Sequence, residues 1–232
     1  LYGGTDTFFR YTLPRLGIHV TFLDHFTPDK VKATIKKNTK AVFAETIGNP
    51  KGDVPDFQAI AKVAHDEGLP FMVDNTFAPV LCRPFEHGVD VVIHSCTKWI
   101  GGHGTSIGGV IVDSGNFDWS RGRFPDFTTP DPSYHGIVYW DALKNVPGMG
   151  NVAYIIKARV QGMRNIGPCA SPFNAFLFLQ GLETLPLRIR QQSANTLELA
   201  QWLKEQEGIQ WVNYTGLPDH AWNKTAKKYL SG

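Results

Sequence analysis

Two apolar segments end in residues able to do chemistry. Residues 71–73 are apolar and run directly into Asp74-Asn75. Residues 89–93 run into His94-Ser95-Cys96-Thr97-Lys98, and Trp99-Ile100 and the loop Gly101-Gly102-His103-Gly104 follow. An amine such as that of Lys98 forms an imine with an aldehyde and can be displaced from it by another amine. A carboxylate at the end of an apolar strand is poorly solvated, so Asp74 is suited to holding a proton on a basic nitrogen. The hydroxyls of Ser95 and Thr97 and the glycine-rich backbone after Lys98 could hold a phosphate dianion.

These are the demands of a pyridoxal-phosphate site: a lysine for the aldehyde, a carboxylate for the pyridine nitrogen, donors for the phosphate and an aromatic ring over the face. Tyr2 could supply the ring. Taken singly, each residue has a plainer reading. A strand-ending Asp caps a turn, a Lys after a strand is solvated, and Gly-Gly-His-Gly fits a nucleotide-phosphate loop equally well. That rival lacks a Gly-x-x-x-x-Gly-Lys-[Ser/Thr] pattern, and no Gly-x-Gly-x-x-Gly follows a strand. His65, His87, His94 and His103 have no metal-ligand spacing, and no Gly-x-Ser-x-Gly elbow is present.

The elements that must position these residues follow a βαβ pattern, which predicts an α/β fold with a mainly parallel sheet flanked by helices. Strands are expected at residues 18–23, 41–44, 71–73, 89–93 and 109–112. Helices are expected at 29–37, 55–67 and 151–163, then as two separate segments at 172–179 and 185–207. Residues 113–151 form a Gly-, Pro- and aromatic-rich stretch, expected to be functional or to carry short irregular helices. Residues 209–214 read as a strand opening a second domain, which divides the chain into 1–185 and 186–232.

In open sheets of this kind ligands sit past the carboxyl ends of strands, which brings Asp74 and Lys98, 24 residues apart, to one edge. A net charge of +2 with scattered basic residues gives no electrostatic footprint for nucleic acid or a membrane surface. No apolar run reaches membrane-spanning length. Three dispersed cysteines, Cys82, Cys96 and Cys169, form neither a disulfide framework nor a metal pattern, which predicts a reducing, cytoplasmic setting.

The segment from Ser95 to Gly104 resembles the lysine motif of the Cys/Met-metabolism pyridoxal-phosphate enzymes. Further segments match in order: Tyr2-Gly3-Gly4-Thr5, Glu45-Thr46-Ile47-Gly48-Asn49-Pro50, Val73-Asp74-Asn75-Thr76, and Ser171-Pro172-Phe173-Asn174 leading to Gly181-Leu182-Glu183-Thr184-Leu185. The resemblance implies a type I pyridoxal-phosphate transferase fold with the start of a small C-terminal domain. It implies that Lys98 holds the cofactor as a Schiff base and shuttles protons as a desolvated neutral amine. It further implies that Asp74 pairs with the pyridine nitrogen, Ser95 and Thr97 bind phosphate, Tyr2 stacks and assists proton transfer, and Glu45 and Asn49 line the pocket.

Residues 116–150, and Thr105 after the His-Gly, are similar to the O-acetylhomoserine sulfhydrylase branch. That likeness implies γ-replacement, in which O-acetylhomoserine and sulfide or a thiol give homocysteine or a thioether and acetate. Cystathionine γ-synthase and methionine γ-lyase chemistry are the alternatives within the family, and a non-catalytic fragment is the alternative outside it. The family also implies a homotetramer, a dimer of dimers with shared sites. Its phosphate loop before Tyr2 and its C-terminal substrate-carboxylate arginine have no counterpart in these residues, so the chain reads as an internal piece of a longer protein.

Overall fold

The computed structural model describes residues 1–232. Four strands form one sheet in the order β1-β2-β3-β4: Val42–Glu45, Phe71–Asp74, Val91–Ser95 and Gly109–Asp113. The first three are parallel and β4 is antiparallel to β3. The register sets Glu45 opposite Asp74, and Ser95 opposite Gly109. The carboxyl ends of β1, β2 and β3 and the start of β4 therefore share one edge.

Nine α-helices surround or extend this sheet. They are α1 (Gly3–Thr7), α2 (Pro28–Thr34), α3 (Phe57–Asp66), α4 (Pro125–Thr128), α5 (Tyr139–Leu143), α6 (Ala153–Lys157), α7 (Arg164–Ile166), α8 (Pro172–Lys204) and α9 (Asn223–Tyr229). α3 shows the local logic best. Asp56 caps it, accepting the Ala59 N–H at 3.3 Å, and Phe57, Ile60, Ala61 and Ala64 repeat at helical spacing and are all buried. They pack with Val42, Phe71, Val73 and Val92 in the main core, which Ala226 and Tyr229 of α9 complete. Each large apolar side chain buried there contributes about 1.5–3 kcal/mol.

The aromatic-rich stretch has a core of its own. Phe117, Trp119, Phe124, Phe127, Tyr139 and Ala153 form a buried cluster against which Met72 packs. Trp119 stacks on Phe127 and on Tyr154, both with ring centroids 4.8 Å apart. The segment carries the short helices expected of it.

Three expectations are corrected. Residues 18–23 pair with no strand, and Ile18 is exposed. Residues 209–214 likewise form no strand, and Trp211 is among the most exposed apolar residues. The two helices expected at 172–179 and 185–207 are one, α8, with Pro186 inside it. Gly181 reads as a helix breaker but serves close packing. A Cβ there would lie 2.9 Å from the Gly101 carbonyl carbon and closer still to the Ile100 and Gly101 carbonyl oxygens. Gly181→Ala should therefore destabilise the protein by about 1–3 kcal/mol, although alanine is the better helix former by about 1 kcal/mol. Urea denaturation reads this directly, and a stabilised variant would show that the helix can move aside.

No helix is long and apolar enough to cross a membrane. All three cysteines are free; Cys82 and Cys96 are buried, and burial pushes the Cys82 thiol up to about 12.

Candidate active site

The shared sheet edge opens into a cleft of about 750 Å³. Its walls include all seven residues singled out from the sequence: Tyr2, Glu45, Asn49, Asp74, Ser95, Thr97 and Lys98. Asp74 and Ser95 end β2 and β3, and Lys98 lies in the irregular helical turn Cys96–Ile100 that follows. The backbone kinks at Lys98, with φ −95° and ψ −115°. Its Nζ stands 5.8 Å from the centroid of the Tyr2 ring. Lys98 is exposed within the cleft, so the desolvation expected for it does not occur in this chain.

Asp74 Oδ1 accepts the Thr76 N–H at 2.8 Å, and Oδ2 receives no hydrogen bond from the protein. No lysine, arginine or histidine forms an ion pair with Asp74. His94, one strand over, is mostly buried. Burial pushes its imidazole below its ordinary value, against the opposing pull of the Asp74 carboxylate. A neutral His94 therefore leaves Asp74 without a cation, the arrangement that a protonated ring nitrogen would complete. The donor set thus fits pyridoxal phosphate: an amine, a facing aromatic ring and a half-buried carboxylate lacking a positive partner.

The candidate phosphate ligands differ from one another. Ser95 Oγ has no protein partner, and the Ser95 N–H donates to Thr76 Oγ1 at 2.7 Å. The Thr97 hydroxyl is engaged with Gly108, donating to its carbonyl at 3.3 Å and accepting its N–H at 3.2 Å. Thr97 thus ties the Lys98 turn to the start of β4.

Glu45 is buried, and its work is on the main chain. Oε1 accepts the Tyr2 N–H at 2.6 Å and Oε2 accepts the Asn49 N–H at 3.1 Å. One carboxylate thus fixes the backbone under two wall residues.

Thr76, Phe77, Ile107, Arg188 and Gln192 also line the cleft and were not singled out from the sequence. Thr76 was detectable as the third residue of an Asp-x-Thr turn, which satisfies its own backbone. Arg188 follows Gly181 by seven residues, two helical turns on one face. The expected break between two helices hid that register. No residue of 116–150 lines the cleft.

Known proteins resemble the chain along nearly its whole length. The chain is 50% identical over 232 residues to the O-acetyl-L-homoserine sulfhydrylase of Leptospira meyeri, covering 99% of this chain and 52% of that protein. It is 52% identical to the homocysteine synthase of Schizosaccharomyces pombe, covering 99% and 53%. The chain spans about half the length of the curated relatives it matches.

Among solved structures, an O-acetylhomoserine (thiol)-lyase of Campylobacter jejuni holding a pyridoxyl-lysine monophosphate superposes with a TM-score of 0.92. It is 36% identical, and the match covers 100% of this chain and 57% of that one. The O-acetylhomoserine sulfhydrylase of Wolinella succinogenes gives 0.84 at 37% identity, covering 99% and 62%. The family described as Cys/Met metabolism PLP-dependent enzymes matches residues 1–232, and this chain belongs to it.

Proposed function

We propose that this chain is the cofactor-binding portion of an O-acetylhomoserine sulfhydrylase, which replaces the γ-acetoxy group of O-acetyl-L-homoserine with sulfide or a thiol. The observation that carries the proposal is the convergence of Lys98, Asp74, Ser95 and Tyr2 on one cleft, in a chain about half identical to proteins named for that reaction.

Pyridoxal phosphate is the cofactor, and when bound it supplies an electron sink for charge developing on the substrate's α carbon. Lys98 holds its aldehyde and, once displaced by the substrate amine, takes the α-proton and moves protons between the α and β carbons. Asp74 keeps the ring nitrogen protonated. Ser95 offers its free hydroxyl to the phosphate, joined by Thr97 if it releases Gly108. Tyr2 covers the ring, on a backbone that Glu45 holds, and Asn49 forms the adjoining wall. Acetate departs with the γ C–O electron pair, sulfide forms the new C–S bond, and homocysteine is released.

In domain terms, residues 1–185 are the cofactor-binding unit and 186–232 begin a smaller one, with α8 as a strut common to both and α9 packing back into the main core. The whole protein is a homotetramer, a dimer of dimers with shared sites. It works in the cytoplasm, a setting in keeping with three unpaired cysteines.

The full-length protein, supplied with O-acetylhomoserine and sulfide, should release homocysteine faster than it releases α-ketobutyrate from methionine. The reverse order would replace this reading with a γ-lyase. Light scattering on the same sample should give four copies per particle.

A further inference from the structure

The turn that carries Lys98 is held by a cation from another part of the chain. Its own backbone satisfies two carbonyls: Gly101 N–H donates to Cys96 O at 2.9 Å, and Gly102 N–H to Lys98 O at 2.8 Å. The next two carbonyls go to Arg188 of α8. Nη1 donates to Trp99 O at 3.0 Å and Nη2 to Ile100 O at 3.4 Å. Nη2 also donates to Gly181 O at 2.8 Å, and Nε to Thr184 Oγ1 at 3.1 Å. One planar guanidinium therefore spans two backbones, its own helix and the Lys98 turn.

The glycines around it make this possible. Gly181 lets α8 approach the carbonyls of Ile100 and Gly101, as described above. Gly102 has φ +75°, and a Cβ there would lie 2.6 Å from the guanidinium carbon. Residues 101, 102 and 104 are all glycine, so the segment after Lys98 has little stiffness of its own.

We infer that Arg188 is a positioning residue for Lys98, clamping the turn that follows it so that the amine enters the cleft from a fixed direction. The inference rests on the reading of Lys98 proposed above. Arg188 acts through the carbonyls one and two residues beyond Lys98. A lysine at 188 keeps the charge but cannot span the same acceptors in one plane.

The test uses the full-length protein with Arg188→Ala, Arg188→Lys and, as a control that removes an exposed charge from the same helix, Arg190→Ala. Two readouts are made: hydrogen exchange at Gly101 and Gly102 in cofactor-free protein, and the rate at which borohydride fixes pyridoxal phosphate on Lys98. Exchange should rise about tenfold and fixation slow about tenfold in both Arg188 variants, the scale of losing hydrogen bonds from a charged donor. Arg190→Ala should match wild type in both.

Wild-type exchange and fixation in either folded Arg188 variant, or equal changes in Arg190→Ala, would overturn the clamp. If neither Arg188 variant folds, the wild type decides: Gly101 and Gly102 must exchange in step with residues 181–188, and faster exchange there overturns the proposal. If borohydride fixes no cofactor on wild-type Lys98, the proposed function fails instead, and cofactor-free exchange still judges the clamp.

Discussion

Lys98→Ala should abolish covalent attachment of pyridoxal phosphate and lower turnover by about 10³-fold or more, because one side chain serves as both the imine-forming amine and the proton-transfer base. The fold should survive. Lys98 is exposed in the cleft, it forms no salt bridge, and the turn around it is held by main-chain bonds and by Arg188. Borohydride reduction followed by peptide mapping separates the two effects. Wild type should carry the reduced cofactor at Lys98, and the variant should carry none while unfolding at the same denaturant concentration. A variant that keeps the covalent adduct would move the attachment point to another lysine.

Asp74→Asn is expected to reduce turnover by about 10²–10³-fold, the range seen when one preorganised electrostatic partner is removed from a site. The substitution keeps size and keeps an oxygen for the Thr76 N–H, so the strand end should stay in place. What it loses is the charge, and no cation of this chain depends on that charge, since burial keeps His94 neutral. The loss should therefore appear in kcat and in cofactor retention, with stability changed by less than about 1 kcal/mol. Full turnover in Asp74→Asn would mean that the ring nitrogen does not need a negative partner here.

The sheet from β1 to β4 and helix α3 were legible in the sequence because burial imposes a period on them. Phe57, Ile60, Ala61 and Ala64 name one helical face, and the runs 71–73 and 91–93 are apolar throughout, as strands covered on both sides must be. Residues 18–23 carried a similar signal and form no strand. β-forming composition says that a segment suits a sheet, and pairing also needs a neighbouring edge within reach. α8 was misread for the opposite reason. Gly181 and Pro186 are breakers when a helix stands alone, yet a helix packed against backbone carbonyls needs a glycine at the contact.

Within the cleft, the residues that chemistry or resemblance requires were visible from their types and order. Arg188 was not, because its acceptors on the Lys98 turn are main-chain atoms brought near only by folding. Thr97 illustrates a related limit: the sequence identifies a hydroxyl beside Lys98 and cannot show that it bonds to Gly108.

Glu45 sets a rule for redesigning this cleft. It holds the amides of residues 2 and 49, so its grip does not depend on which side chains those positions carry. The wall behaves as a rack with interchangeable fittings. Residue 49 can be varied to reshape what the cleft admits while the backbone beneath it keeps its place, whereas Tyr2 must stay to cover the ring. A change at 45 loosens both positions at once, so a library aimed at new acceptors should randomise 49 and leave 2 and 45 alone.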